Sequence, residues 1–222
     1  VRCDAFIHYE INYDEEEALK EAGRCRGCGG GAFVNISRCM GCLTCQRVCP
    51  YGAPVVHSYS EIRLEYCQAC GLCAPECPGR AISMLSYDID EIRKAIQNAQ
   101  KTLGLKSDVP KVLALLCTHH VGVLGLELPE NIYQLPIHCI SRIDSLDILT
   151  AFENGFDGVI ILNCQEGSCK YKSIKPRVKA RIQRTVRLLE ALGIDSGRIA
   201  MISMSSTDGK EIYQECSNFA LE

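Results

Sequence analysis

Several things are missing from this chain, and each absence narrows what it does. No stretch approaches the roughly 18 consecutive apolar residues of a membrane-spanning helix, and no apolar signal segment opens the chain, which starts at Val1 rather than Met. A cytoplasmic protein without a membrane span is therefore expected. Charge of one sign is scarce too. The 24 basic and 27 acidic residues leave a net charge of −3, which excludes a broadly basic nucleic-acid-binding surface. Gly29-Gly30-Gly31 follows no strand, so it reads as a flexible turn, not a phosphate loop, and no dinucleotide fingerprint occurs. No Ser-His-Asp set and no pair of carboxylates marks a substrate site. By itself the chain is expected to catalyse no bond-making chemistry.

What is abundant is cysteine, with 16 among 222 residues. A secreted disulfide scaffold and a metal-binding protein both use cysteine heavily. Apolar residues at 47% and charged residues at 23% allow an ordinary buried core without disulfides. The spacing decides between the two. Cys39, Cys42, Cys45 and Cys49 precede Pro50 in a C-x2-C-x2-C-x3-C-P run, and Cys67, Cys70, Cys73 and Cys77 precede Pro78 in the same run. Val34 and Ile36 lead into the first run as Ile62 and Leu64 lead into the second, each pair alternating as a short strand does. Val55-Val56 and Ile82-Ser83-Met84 follow the two runs. The unit of strand, loop, turn and strand is present twice.

These residues carry the bacterial two-cluster ferredoxin pattern. A cubane needs four thiolates at tetrahedral corners, and gaps of two residues let one loop cap a cube face with three of them. The fourth thiolate of each run ligates the other cluster. One 4Fe-4S cluster is thus assigned to Cys39, Cys42, Cys45 and Cys77, and a second to Cys67, Cys70, Cys73 and Cys49. Gly41, Ala69 and Gly71 are small enough to let the backbone approach. Zinc sites use paired C-x2-C units instead of triplets with a trailing C-P.

Beyond this repeat, residues 88–104 read as a helix with Ile92, Ala95, Ile96 and Ala99 on one stripe, ended by Gly104 and a linker to Pro110. Strands are expected at Val112–Leu116, Ile132–Ile137, Gly158–Leu162 and Arg198–Met204. Helices are expected at Arg142–Asn154, Ile174–Leu192 and Asp208–Leu221. Such alternation implies a parallel sheet with helices on its faces, of which the flavodoxin-like arrangement is the smallest common form. Cys117, Cys139 and Cys164 then follow three of the strands, and Cys169 lies in the loop with Cys164. All four fall at the carboxyl edge of the sheet, where open parallel sheets bind ligands. Four thiolates there suit a 2Fe-2S cluster, zinc or a cubane. His119 and His120 stand beside Cys117, where a packed or solvated role is the commoner one.

Cys139-Ile140-Ser141-Arg142-Ile143-Asp144, Asp157-Gly158-Val159 and Cys164-Gln165-Glu166-Gly167-Ser168-Cys169-Lys170-Tyr171 resemble the delta subunit of methyl-viologen-reducing hydrogenase over residues 110–220. The resemblance implies a 2Fe-2S cluster, on Cys117, Cys139, Cys164 and Cys169. It also implies electron transfer between a hydrogenase or formate dehydrogenase-like donor and the flavoprotein subunit of a heterodisulfide reductase-like complex, in anaerobic metabolism. The family usually opens with C-x2-C after its first strand, where this chain has Cys117 and His120.

At the amino terminus, the helical stretch from Asp14 to Ala22 precedes Cys25-Arg26-Gly27-Cys28. This segment resembles the cysteine-bearing appendages of flavoproteins of the heterodisulfide reductase A and glutamate-synthase small-subunit type. Cys25 and Cys28, with Cys3, form a candidate further metal site. Cys216 falls on a helix and reads as packing. Lys170 to Arg187 holds eight basic residues and no acidic one. It is either a solvated face or a docking surface for an acidic partner.

The expected organisation is a cysteine-containing helical segment (1–32), an α+β two-cluster module (33–87), a helix and linker (88–110), and an α/β iron–sulfur domain (111–222). The expected function is a single-electron relay. The alternative is a ferredoxin-dependent thiol reductase using Cys164 and Cys169.

Overall fold

The computed structural model describes residues 13–23, 30–85, 88–102, 109–119, 126–165, 167–204 and 209–220. Helix α1 spans Glu15–Gly23. Asp14 and Glu17 cap its start reciprocally, the Glu17 N–H donating to Asp14 Oδ1 at 2.8 Å and the Asp14 N–H to Glu17 Oε2 at 3.3 Å.

The repeat forms β1 (Ala32–Val34), α2 (Thr44–Val48), β2 (Pro54–Val56), β3 (Ser60–Ile62) and β4 (Ile82–Met84). β1 pairs antiparallel with β4, and β2 with β3. Each repeat therefore pairs its strands with those of the other repeat, so neither folds alone. The strands are shorter than the alternation suggests. Asn35 accepts the Ser37 N–H at 3.1 Å and turns the chain into a 3-10 helix at Ile36–Arg38, which removes Ile36 from β1. Leu64 likewise falls in the turn after β3. The small core is Ala32, Cys45, Ala69, Ala74, Ile82 and Met84.

Helix α3 (Ile89–Thr102) buries Ile92, Ile96 and Ala99. It is followed by β5 (Val112–Cys117), β6 (Ile132–Ile137), α4 (Ser145–Glu153), β7 (Gly158–Cys164), α5 (Lys175–Ala191), β8 (Ile199–Met204) and α6 (Gly209–Phe219). The four strands form one parallel sheet in the order β6-β5-β7-β8. Central strands of a covered parallel sheet are apolar on both faces, and β5 and β7 are buried along their whole length. Leu113, Leu115, Val159 and Ile161 face the core shared with α3, α4 and α5. Val112, Ala114, Leu116, Ile160 and Leu162 face α6 through Ile212, Cys216 and Ala220. Cys216 is fully buried packing. A Cβ at Gly158 would come within 2.8 Å of the Phe219 ring, so only glycine lets α6 approach.

α4 begins three residues later than the apolar pattern suggests. Asp144 and Asp147 form a capping box, and Ile140–Arg142 is a 3-10 turn before it.

The two halves share a core: Cys70 and Leu72 of the repeat pack in the cluster that holds Leu113, Ile140 and Tyr171. Polar contacts fix the junction. The Tyr171 hydroxyl donates to the Gln68 carbonyl at 2.9 Å, and Arg80 lies 3.3 Å from Asp144. Arg181 donates to Glu76 at 2.7 Å and to the carbonyls of Ser141 at 2.7 Å and Ile143 at 2.9 Å. The basic helix is thus partly internal. Arg177 also reaches the Arg47 carbonyl at 3.3 Å.

Breaking the Glu76–Arg181 pair from one side leaves a charge stranded at the junction. Arg181→Ala is expected to cost about 3 kcal/mol in denaturant unfolding, and the double change Glu76→Gln with Arg181→Met is expected to cost clearly less. Equal losses in the single and double variants would contradict this account.

Candidate metal centres

Cys39, Cys42, Cys45 and Cys77 line one cavity, together with Gly41, Val56 and Ser60. The loop geometry follows from local constraints. Gly41 has φ +62°, and a Cβ there would come within 2.9 Å of the Ser58 carbonyl oxygen. Leu43 takes a left-handed conformation at φ 63° just before α2. Donors surround the sulfurs: the Ser60 N–H donates to Cys39 Sγ at 3.4 Å and the Ala81 N–H to Cys77 Sγ at 3.3 Å. Cys45 Sγ donates to Ser60 Oγ at 3.2 Å, and Thr44 Oγ1 lies 3.4 Å from Cys42 Sγ. The Thr44 hydrogen bonds lower the pKa of Cys42, while burial raises that of Cys45. Cys42 is exposed.

Cys49, Cys67, Cys70 and Cys73 line a second cavity with Tyr51, Leu72 and Met84. The fourth cysteine of each run therefore sits with the first three of the other. Ala69, between Cys67 and Cys70, adopts φ 52°. This cavity lies toward the junction. Burial pushes Cys70 up to about 11 and raises Cys73 further, with the neighbouring thiolates adding to both.

The third cavity, of about 690 Å³, opens at the carboxyl edge of the parallel sheet. Cys117 is the last residue of β5, Cys164 the last of β7, and Cys139 lies two residues past β6. Cys169 follows Gly167, whose φ is +92°. All four cysteines line the cavity, with His119, Ser141, Tyr171, Lys170, Lys175 and Lys179. The Cys164 thiol donates to Cys117 Sγ at 3.6 Å, and Cys139 also hydrogen-bonds to Cys117. These two bonds lower the pKa of Cys117, against its desolvation. The same bonds to Cys117, followed by burial, push Cys139 and Cys164 well above the ordinary thiol range. The three sulfurs are thus coupled, and ionising one of them opposes ionising the other two.

His119 Nε2 lies 2.9 Å from His138 Nε2 and 3.3 Å from the Tyr171 hydroxyl, so that nitrogen is engaged in a polar cluster beside the sulfurs. Motif spacing alone does not single out His138, Ser141, Thr44 or Ser60. Ser141 and Tyr171 each stand two residues after a cysteine, a position from which a side chain can turn back to its own loop. Ser60 is 15 residues from the cysteine it accepts from, and nothing local marks it. His120, Cys3, Cys25 and Cys28 lie outside the described residues. Among the described residues no group of three or more His, Cys, Asp or Glu is placed to hold a single metal ion. The thiols stand around cavities.

Paired antiparallel strands with cysteine-lined loops on one side, and cysteines at a parallel sheet edge on the other, place the chain among iron–sulfur proteins of electron transfer. Comparison with known families agrees for both halves. Residues 32–55 and 61–83 match the 4Fe-4S binding domain, so the chain carries two such binding motifs. Residues 112–222 match the methyl-viologen-reducing hydrogenase delta subunit family, to which the chain belongs. It is 28% identical over 200 residues to a ferredoxin:CoB-CoM heterodisulfide reductase subunit of Methanosarcina mazei, covering 86% of this chain and 25% of that protein. It is 28% identical over 109 residues to an F420-non-reducing hydrogenase iron-sulfur subunit of Methanococcus voltae, covering 46% of this chain and 76% of that one. Over 52 residues it is 40% identical to the pyruvate synthase subunit PorD of Methanothermobacter marburgensis, covering 23% and 62%. The chain thus spans about a quarter of the heterodisulfide reductase subunits it matches. No helix among the described residues is long and apolar enough to cross a membrane.

Thiol chemistry of the iron-free chain tests this geometry. Cys42 combines exposure with a lowered pKa, so its thiolate fraction at pH 7 exceeds that of a free cysteine. Alkylation mapped by mass spectrometry should modify Cys42 at least about tenfold faster than Cys45 or Cys70, whose thiols are buried and raised. The advantage should shrink as the pH is raised toward the pKa of the buried thiols, Cys70 being pushed up to about 11.

Proposed function

We propose that the chain relays single electrons through three centres. The first two are 4Fe-4S clusters, one on Cys39, Cys42, Cys45 and Cys77, the other on Cys67, Cys70, Cys73 and Cys49. The third is a 2Fe-2S cluster on Cys117, Cys139, Cys164 and Cys169. The observation that carries the reading is the grouping of twelve cysteines into three sets of four, each lining its own cavity. Each cluster, when bound, takes up and releases one electron at a time. The residues supply thiolates, N–H donors to sulfur and a shield from water.

The sheet order, with the first strand inside the second and the third and fourth beyond it, is that of the first four strands of a flavodoxin-like sheet. It supports reading residues 111–222 as a reduced form of that unit. Residues 33–87 would be the two-cubane module, joined by 88–110, with 1–32 as a separate segment. In this reading Cys25 and Cys28 would belong to a further metal site.

The partners proposed are a flavin-containing protein of the heterodisulfide reductase type and a hydrogenase or formate dehydrogenase-like donor. The similarity to components of both kinds of complex supports this. Lys170, Lys175 and Lys179 line the third cavity and would receive an acidic partner there. The thiol reductase alternative asks for an activated, accessible nucleophile. Cys164 is buried and its thiol is raised, the opposite of that requirement.

Anaerobically purified protein should contain about ten irons per chain, from two cubes and one two-iron centre. Cys164→Ala should lower this to about eight and remove one EPR signal from the reduced sample. About eight irons in the parent chain, with Cys164 and Cys169 open to alkylation, would move the dithiol reading forward. For the docking face, Lys170→Glu combined with Lys175→Glu and Lys179→Glu should slow electron exchange with reduced flavodoxin, an acidic probe, about tenfold at low salt. The difference should shrink as salt is added.

A further inference from the structure

We propose that Ser141 is the positioning residue that ties the second ferredoxin site to the sheet-edge site and tunes the potential of the latter. The inference rests on the cluster assignment above and goes beyond it to a residue that ligates nothing. Ser141 is 1% exposed. Its hydroxyl bonds to the carbonyl oxygen of Cys70, in the second ferredoxin cavity, and lies 3.2 Å from Cys139 Sγ, in the third. One side chain thus touches a proposed ligand residue of each centre, 71 positions apart in sequence in the case of Cys70.

The position is held from outside. Arg181 grips the Ser141 carbonyl at 2.7 Å while the same guanidinium holds Glu76 of the ferredoxin half. The junction ion pair therefore sets where the hydroxyl stands. A buried hydroxyl needs one partner, and the Cys70 carbonyl supplies it. The approach to Cys139 is additional, and it has a chemical consequence.

A serine hydroxyl has one proton to give. When Cys139 is a thiol its S–H is engaged with Cys117, and the one Ser141 O–H is shared between the Cys70 carbonyl and Cys139 Sγ. When Cys139 is a ligating thiolate it has no proton, and the Ser141 hydroxyl chooses between carbonyl and sulfur. The Ser141 backbone N–H already bonds to that sulfur. A further hydrogen bond to a ligating sulfur favours the more negative, reduced state. With a cluster bound on Cys139, added negative charge there would favour the hydroxyl turned toward Cys139 and away from Cys70. One electron moves between the centres, the proton stays on Ser141, and no covalent bond breaks.

The test uses the whole chain, anaerobically purified with full iron content. Redox titration followed by EPR reads each centre separately in the parent, in Ser141→Ala and in Ser141→Thr. Ser141→Ala is expected to lower the sheet-edge potential and shift the partition of one electron between that centre and the second ferredoxin site about tenfold, the worth of a hydrogen bond to a charged acceptor. The first ferredoxin site should be unmoved, and Ser141→Thr, which keeps the hydroxyl, should restore the parent values. Identical partition in the parent and Ser141→Ala overturns the inference. Should Ser141→Ala lose iron, the comparison is made on Ser141→Gly. Iron lost from both but kept in Ser141→Thr also overturns the tuning role and leaves the hydroxyl a structural prop. A parent chain with no sheet-edge signal is a different failure, because it removes the third centre itself and Ser141's role with it.

Discussion

Crowded sulfur is the constraint on which the rest depends. Thiolates brought within a few ångströms in a dry cavity repel one another and lose their hydration. The sheet-edge site makes the cost visible. Hydrogen bonds from Cys139 and Cys164 favour the ionised form of Cys117, and the same bonds with burial disfavour ionising those two. The second ferredoxin cavity raises its buried thiols. A group of irons bound in such a cavity would supply the positive charge that lets all four sulfurs ionise together, and its binding would relieve the cost of folding around it. The first cavity is milder because Cys42 is exposed and has the Thr44 hydroxyl and a nearby Arg47 to support its charge. The three sites therefore differ in what they demand of a cofactor, although all are built from four cysteines.

That demand explains why the two halves are fused through a packed junction and not a loose tether. Cys70 and Leu72 complete the core of the α/β half, and Tyr171, two residues past Cys169, reaches back to Gln68. Burying this face removes water from the second cavity and brings it beside the third. Arg181 resolves the polar groups left inside by taking two carbonyls and one carboxylate at once, a task suited to its planar fork. An isolated ferredoxin module would expose Cys70 and Leu72, and an isolated α/β half would strand Arg181.

Much of this was legible in the residues because the information was local. The C-x2-C-x2-C-x3-C-P runs imply the exchange of the fourth cysteine, and the structure places Cys77 and Cys49 in exchanged cavities. The alternation of Val112–Leu116 and Gly158–Leu162 with helices predicts a parallel sheet, and hence cysteines at one edge. What escaped was non-local or subtle. Asn35 and Asp144 act as caps that override the apolar pattern, shortening β1 and delaying α4. Ser60 and Ser141 matter only because the fold carries distant cysteines to them. Arg181 looks like one of eight basic residues between Lys170 and Arg187, and nothing in the sequence separates it from its neighbours.

Helix α5 shows how one charged stretch serves two surfaces. Its residues recur every three to four positions, so a single basic run is divided between faces by helical geometry. Arg177, Arg181 and Arg184 turn toward the ferredoxin half, where Glu76 meets the last two. Lys175 and Lys179 turn toward the sheet-edge cavity. Arg181 occupies the buried position that needs several fixed hydrogen bonds, and the lysines line the open cavity. That division follows the chemistry of the two groups, since a guanidinium holds geometry while an ammonium stays hydrated and mobile. Lysines thus rim the third cavity, while Arg181 and Arg184 share the Glu76 carboxylate at the junction. The ferredoxin half presents a different surface, where Ile36, Met40 and Leu43 are exposed around Cys42. The two ends of the proposed relay thus offer unlike faces, one charged and one apolar, and two different partners can be told apart by them.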